Sequence, residues 1–265
     1  MEIKLPTKKV TATYVDPHIM LFYGPPKVGK TTILSQLKDC LIIDLEDGTK
    51  YLDSLRVQVI GLKTPQKESE ESKETRSKNN QFYFDEIGKA IHKGNKPYKY
   101  IAIDTVTKLE EWCEWEGTQM YMSSVQGKNF NRDNAGSILP RSKWLSVLTL
   151  PNGAGYMWLR SAMKDWLDKI YTLAPHIILV GHLLDKMIEK KGKEVNAKDL
   201  DLTGKLKRIV CAQADAVGYL YRTDEKLYIN FQSADEVNCG SRCDHLRGQN
   251  IEFAWDKIYT AIKKK

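Results

Sequence analysis

The stretch LFYGPPKVGKTTIL, from Leu21 to Leu34, constrains what this chain can fold into more than any other. It holds the spacing Gly24-x-x-x-x-Gly29-Lys30-Thr31, a pattern in which backbone N–H groups at the start of a helix wrap around phosphate oxygens. Gly24 and Gly29 allow close approaches and backbone conformations that a Cβ would hinder. Such a loop requires a strand before it and a helix after it. The apolar run HIMLFY (18–23) supplies the strand, and Lys30 to Leu37 can follow as the helix.

Further apolar runs continue the pattern: CLIID (40–44), RVQVI (56–60), YIAID (100–104) and HIILVG (176–181). Strands apolar on both faces, separated by helix-length segments, predict a mainly parallel sheet covered on both sides. The expected class is therefore α/β. ADAVGYLY (214–221) and LYINF (227–231), with Thr223-Asp224-Glu225 between them, predict an antiparallel extension after residue 213. Ile251, Trp255, Ile258 and Ile262 recur at helical intervals and predict a closing helix, followed by a basic tail to residue 265. Residues 1–17 form an N-terminal extension and 18–250 the core. Three polar stretches, near 64–80, 123–143 and 185–203, are expected to be mobile insertions.

The balance of 42% hydrophobic and 28% charged residues is that of a globular chain able to bury a core, and the net charge of +7 permits an anionic partner. No run approaches the roughly 18 apolar residues of a spanning helix, and MEIKLPTKKV lacks the apolar segment of a signal peptide, so a cytoplasmic location without membrane contact is expected. Cys40, Cys113, Cys211, Cys239 and Cys243 show no zinc-type pairing and are expected as reduced thiols.

The loop Gly24, Pro25, Pro26, Lys27, Val28, Gly29, Lys30, Thr31, Thr32 is the expected nucleotide cradle. Lys30 offers a point charge to the β and γ phosphates, and the Thr31 hydroxyl can ligate Mg²⁺. Asp104, closing YIAID, is placed to organise the same cation; its other reading is a cap for the helix that begins at Val106. Hydrolysis also needs a group that orients or deprotonates water. In LIIDLEDG that group is Glu46, with Asp47 as competitor, and a solvated loop remains open.

The series GPPKVGKTT, IIDLEDG, YIAIDTVTKL and IILVGHLLDK, in that order, resembles the RecA-type ATPase core. It is most similar to the compact RecA-like recombination ATPases of bacteriophages, the phage nucleotide-binding protein family that assists single-strand annealing. The resemblance spans residues 18–245 and implies ATP and Mg²⁺ as cofactors. It also implies Glu46 as catalytic glutamate, and His182 as a polar switch residue that senses the γ phosphate and signals to the DNA-binding loop after it. His182 also has the position of a ligand contact at the C-terminal end of a buried strand, or of a histidine satisfied by nearby backbone.

Single-stranded DNA is the implied partner. Lys128, Phe130, Arg132 and Arg141 combine cations with an aromatic ring, and Lys186, Lys190, Lys191 and Lys193 follow the switch strand. The resemblance further implies a homo-oligomer, ring or filament, with nucleotide between subunits, and admits a single-strand binding protein as partner. A cation from the neighbouring subunit is expected at Arg242, with Arg222 and Lys205 as alternates. Two other functions share a phosphate loop: a small-molecule or nucleoside kinase, and a non-catalytic nucleotide switch that assembles a helicase. Phosphate transfer to an acceptor marks the first, binding without turnover the second.

Overall fold

The computed structural model describes residues 5, 7–59, 70–94, 98–190, 193–234 and 236–260. In chain order the strands are β1 (Ile19–Gly24), β2 (Cys40–Asp44), β3 (Arg56–Gln58), β4 (Tyr100–Asp104), β5 (His176–Lys190), β6 (Lys193–Leu200), β7 (Ala216–Thr223), β8 (Lys226–Asn230), β9 (Gly240–Ser241) and β10 (Asn250–Glu252). The helices are α1 (Lys30–Ser35), α2 (Glu70–Lys93), α3 (Val106–Ser123), α4 (Val125–Phe130), α5 (Tyr156–Ile170), α6 (Leu206–Gln213) and α7 (Trp255–Ile258).

The sheet runs β10-β8-β7-β1-β5-β4-β2-β3, with β6 paired to β5 and β9 to β7. From β3 to β7 every neighbour is parallel. β7 and β8 then turn antiparallel, with β10 beyond them. This is the expected mainly parallel α/β sheet, with its antiparallel extension. Among the described residues no helix is long and apolar enough to cross a membrane.

Strand alternation divides the apolar side chains between two faces. Leu21, Ile43, Ile101, Ile103, Ile177 and Leu179 point to one side, where Trp112 of α3 and Trp166 of α5 cover them. Met20, Phe22, Ile42, Ala102, Ile178 and Val180 point to the other, under Ile33 and Leu34 of α1 and Trp255. Because both faces are buried, the five residues of β2 and of β4 are buried without exception. The register aligns Asp44 with Asp104 and Gly24 with His182. Gly24, Asp44 and Asp104, each the last residue of its strand, thus meet His182 of β5 at the C-terminal edge of the sheet, where open α/β folds hold their ligands.

The three polar stretches depart from expectation. Residues 64–69 lie outside the described residues, but 70–80 form the first turns of α2. That helix is anchored further on, where Phe84 meets the Trp166 ring at 5.0 Å and Ile91 is buried. Once anchored, propagation through Glu, Lys and Arg residues is favourable. Within 123–143, Ser124 caps α4 by accepting from the Gly127 N–H, and the Asp133 carboxylate accepts from the Ala135 and Ser137 N–H groups, which closes a turn. Most of 185–203 is a ribbon: β5 runs past the sheet and returns as β6, paired from Leu183–Leu200 to Lys190–Lys193.

The closing helix is shorter than its periodicity predicts. Ile251 belongs to β10 and pairs with Ile229, because the edge of β8 offers unpaired backbone groups that Asn250–Glu252 satisfies. Among the described residues of this segment the α-helix is Trp255–Ile258, held where the Trp255 indole N–H donates to the Ile33 carbonyl at 2.7 Å. Ile262 and the basic tail lie outside the described residues.

Candidate functional site

β1 ends at Gly24 and α1 begins at Lys30, and the loop between them has the geometry its glycines predict. Gly29 lies at φ 111°, a conformation that side chains rarely adopt. A Cβ on Gly24 would stand 2.4 Å from the Leu220 carbonyl oxygen, so β7 presses against the root of the loop. The Lys30 ammonium donates to the carbonyls of Gly24 (2.9 Å) and Pro25 (3.0 Å), on the loop that it serves.

Two residues fit a hard divalent cation. Asp104 is 3% exposed, and its carboxylate accepts from the Thr31 hydroxyl at 2.8 Å. Burial, helped by the charges of Glu46 and Asp44, pushes the Asp104 carboxyl up to about 6, so a positive charge beside it is strongly favoured. Among the described residues no cluster of three or more His, Cys, Asp or Glu could hold a metal alone. One carboxylate and one hydroxyl suit Mg²⁺, which keeps water and phosphate oxygens in its remaining positions. When bound, that cation neutralises phosphate charge. The helix cap read as an alternative for Asp104 is instead Thr105, whose hydroxyl accepts from the Lys108 N–H at 3.2 Å.

Glu46 sits on the loop after β2, and Asp44 shapes that loop. Asp44 is 1% exposed and accepts from the N–H groups of Glu46 (2.9 Å), Gly48 (3.3 Å) and Thr49 (2.9 Å) and from the Thr49 hydroxyl (2.5 Å). The loop presents the Glu46 carboxylate to the Thr105 hydroxyl at 2.7 Å and to His182 Nε2 at 3.1 Å. Asp47, the competitor, turns away to pair with Lys50 and Gln58. Burial works to raise the Glu46 pKa, but the hydrogen bonds from His182 and Thr105 and the charges of His182 and Lys30 outweigh it. The carboxyl therefore ionises below its ordinary range. His182 moves the opposite way: its bond to Glu46 raises its pKa against the effect of burial.

The backbone of His182 is tied to the base of the ribbon. Its N–H donates to Thr107 Oγ1 (3.2 Å), the Thr107 hydroxyl donates to the Asp201 carbonyl (3.2 Å), and the Asp201 N–H returns to the His182 carbonyl (3.0 Å). A cleft of about 490 Å³ joins Lys30, Thr31, Glu46, Asp104 and His182, with the 95% exposed Tyr51 on its rim.

Pro26, Lys27 and Thr32 also line the cleft, while Pro25 and Val28 belong to the loop without lining it. Arg242 does not reach the cleft. It lies beside the start of β7, where its guanidinium meets Asp215 at 3.4 Å and the Ala212 carbonyl at 2.5 Å. Lys205 stands just before α6 and also lies outside the cleft. Arg222, an alternate for a cation reaching a neighbouring subunit, instead bonds the phosphate loop of its own chain, because β7 is the strand next to β1.

Of the basic residues, Lys128 and the 42% exposed Phe130 end α4, Arg132 bonds the Gly136 carbonyl, and Arg141 lies over the Trp144 ring at 5.4 Å. Lys186, Lys190 and Lys193 are strand positions of the ribbon, and Lys191 lies outside the described residues. Sequence reasoning missed Thr105, Tyr51 and the place of Arg222. Only Thr105 carried a local signal, as the polar residue just before a helix.

No curated protein matches the chain. A solved structure titled "Crystal structure of the RadB recombinase" aligns over 92% of this chain and 90% of that one, at 12% identity and a TM-score of 0.39. The sequence profile of the AAA domain (AAA_24) matches residues 16–243, from the segment before β1 to just past β9, and the chain belongs to the AAA domain family.

Proposed function

We propose that this chain is a Mg²⁺-dependent, RecA-like ATPase of the phage recombination type, which couples ATP hydrolysis to binding single-stranded DNA. The observation that carries the reading is the Glu46 carboxylate. It is kept ionised by His182 and Thr105 in the same cleft as Lys30 and the Thr31–Asp104 pair. A carboxylate so held can orient a water and accept its proton. Lys30 binds and neutralises phosphate oxygens, Thr31 and Asp104 hold the cation, and His182 orients Glu46 and can donate to a phosphate oxygen. Tyr51 offers an aromatic face on the rim, suited to a nucleobase.

The ribbon supports the DNA reading. Its root is hydrogen-bonded to His182 and its strands carry Lys186, Lys190 and Lys193, so a change at the cleft acts on a basic arm. Nucleotide between subunits of a ring or filament, with Arg242 reaching the next copy, belongs to the same reading.

The test is ATP hydrolysis by the native chain and by Lys30→Ala, with and without single-stranded DNA. Release of phosphate to water, stimulated by DNA and lost in the variant, supports the proposal. Phosphate found on an acceptor, or binding without turnover, overturns it. DNA affinity should be higher with a non-hydrolysable ATP analogue, and log affinity should fall with log salt at about −0.7 per phosphate contacted. Replacing residues 187–197 by a two-residue turn should remove that affinity and leave nucleotide binding within about twofold, because the cut lies beyond the residues that line the cleft.

A further inference from the structure

Arg222 stands outside the cleft, yet it touches the phosphate loop. β7 lies parallel to β1, and its alternation sends Tyr219 and Tyr221 to one face and Leu220 and Arg222 to the other. Leu220 is buried with Phe22, Val28, Ile33 and Leu34, so Arg222, two residues on, meets the loop from behind. Its Nε donates to the Val28 carbonyl at 3.0 Å. Its Nη1 donates to the Glu225 carbonyl at 2.9 Å. A Cβ on Gly29 would come within 3.3 Å of Nη2, which places the guanidinium plane along the Val28–Gly29 peptide.

The hairpin turn explains why the arginine is held there. Thr223 pairs with Lys226, leaving Asp224 and Glu225 as a two-residue connection, with φ of 51° and 63°. Positive φ at both positions is the form that matches the twist of the flanking strands. It turns the Glu225 carbonyl back toward Arg222, so one carbonyl orients the guanidinium and the guanidinium orients the loop.

We infer that Arg222 is a positioning residue for the phosphate loop: it fixes the Val28–Gly29 backbone from behind and thereby sets the affinity for the phosphates shared by ADP and ATP. The inference rests on the nucleotide reading of the cleft. Arg222 lies apart from Glu46, Asp104 and His182, so it acts on binding rather than on the reacting edge.

The experiment compares the native chain, R222A and R222K by equilibrium titration with ADP and with ATP, by kcat at saturation, and by amide hydrogen exchange across residues 28–30 without nucleotide. R222A should weaken both nucleotides alike, by about tenfold, the size of one lost charge-assisted hydrogen bond. Its kcat should stay within about twofold of native, its 28–30 amides should exchange faster, and R222K should recover part of the affinity through one carbonyl. Affinities within twofold of native with unchanged exchange, or a fall in kcat at unchanged affinity, would overturn the inference. If the native chain binds neither nucleotide, the nucleotide reading fails; unchanged exchange in R222A then removes the clamp as well, and faster exchange upholds it.

Discussion

Glu46 takes its orientation from neighbours that are distant in sequence. Thr105 and His182 hold its two oxygens, so the carboxylate is both oriented and ionised. Replacing it with Gln keeps the shape and removes the base. Glu46→Gln should lower ATP turnover by about 100-fold or more, with nucleotide affinity within about twofold, measured by steady-state kinetics beside equilibrium binding. The pair also predicts a pH dependence of stability. His182 titrates above its ordinary 6.5, so its contribution is full below that value and is lost as pH rises through the folded pKa. Glu46 titrates below 4.5, so its contribution is present above that value and is lost as pH falls through the lower folded pKa. Both side chains are about a third exposed, at 38% and 31%, which keeps the pair within about 1 kcal/mol. Denaturant unfolding at about pH 6 and about pH 8 should show this increment in the native chain and not in His182→Ala. That Glu46, Asp104 and His182 come together was legible in the sequence because each closes or follows an apolar run. Thr105 showed only as the polar residue before a helix, and the contact of Arg222 with the phosphate loop did not show at all, because what each touches depends on which strands lie side by side.

At the scale of elements, the loop after β2 is built around one buried side chain. Asp44 receives three backbone N–H groups and a hydroxyl, and these bonds set where the next turn places Glu46. Asp44→Asn turns one acceptor into a donor facing donors. It should cost about 2–3 kcal/mol in chemical denaturation, and also reduce turnover although Asp44 does not line the cleft. Legibility at this scale followed burial. The runs CLIID and YIAID are strands because every residue of each is inside. The polar stretches misled because polar composition does not exclude order: 70–80 is helix and 185–200 is ribbon, both regular. The closing helix misled differently, since Ile251 and Trp255 satisfy a helical spacing while occupying a strand and a later turn.

For the whole molecule, the cleft opens at the C-terminal edge of the sheet, while Arg242 sits beside the first residues of β7, at the strands' opposite end. A single copy cannot bring the two together. If Arg242 completes the site of a neighbour, specific ATPase activity should rise with protein concentration in the native chain. Arg242→Ala should abolish that rise, by about tenfold at the highest concentration, and leave nucleotide binding intact. The parallel α/β class was legible from five short apolar runs, but the order in which they pair was not, because each pairing joins residues far apart in the chain. One strand then takes on a mechanical meaning. β5 crosses the core between β1 and β4 and continues without a break for eight residues past His182. At about 3.3 Å per residue this is a cantilever of roughly 26 Å, with its fulcrum at the cleft. A tilt of about 5° at His182 swings the free end by about 2 Å, so the fold amplifies displacement where it begins.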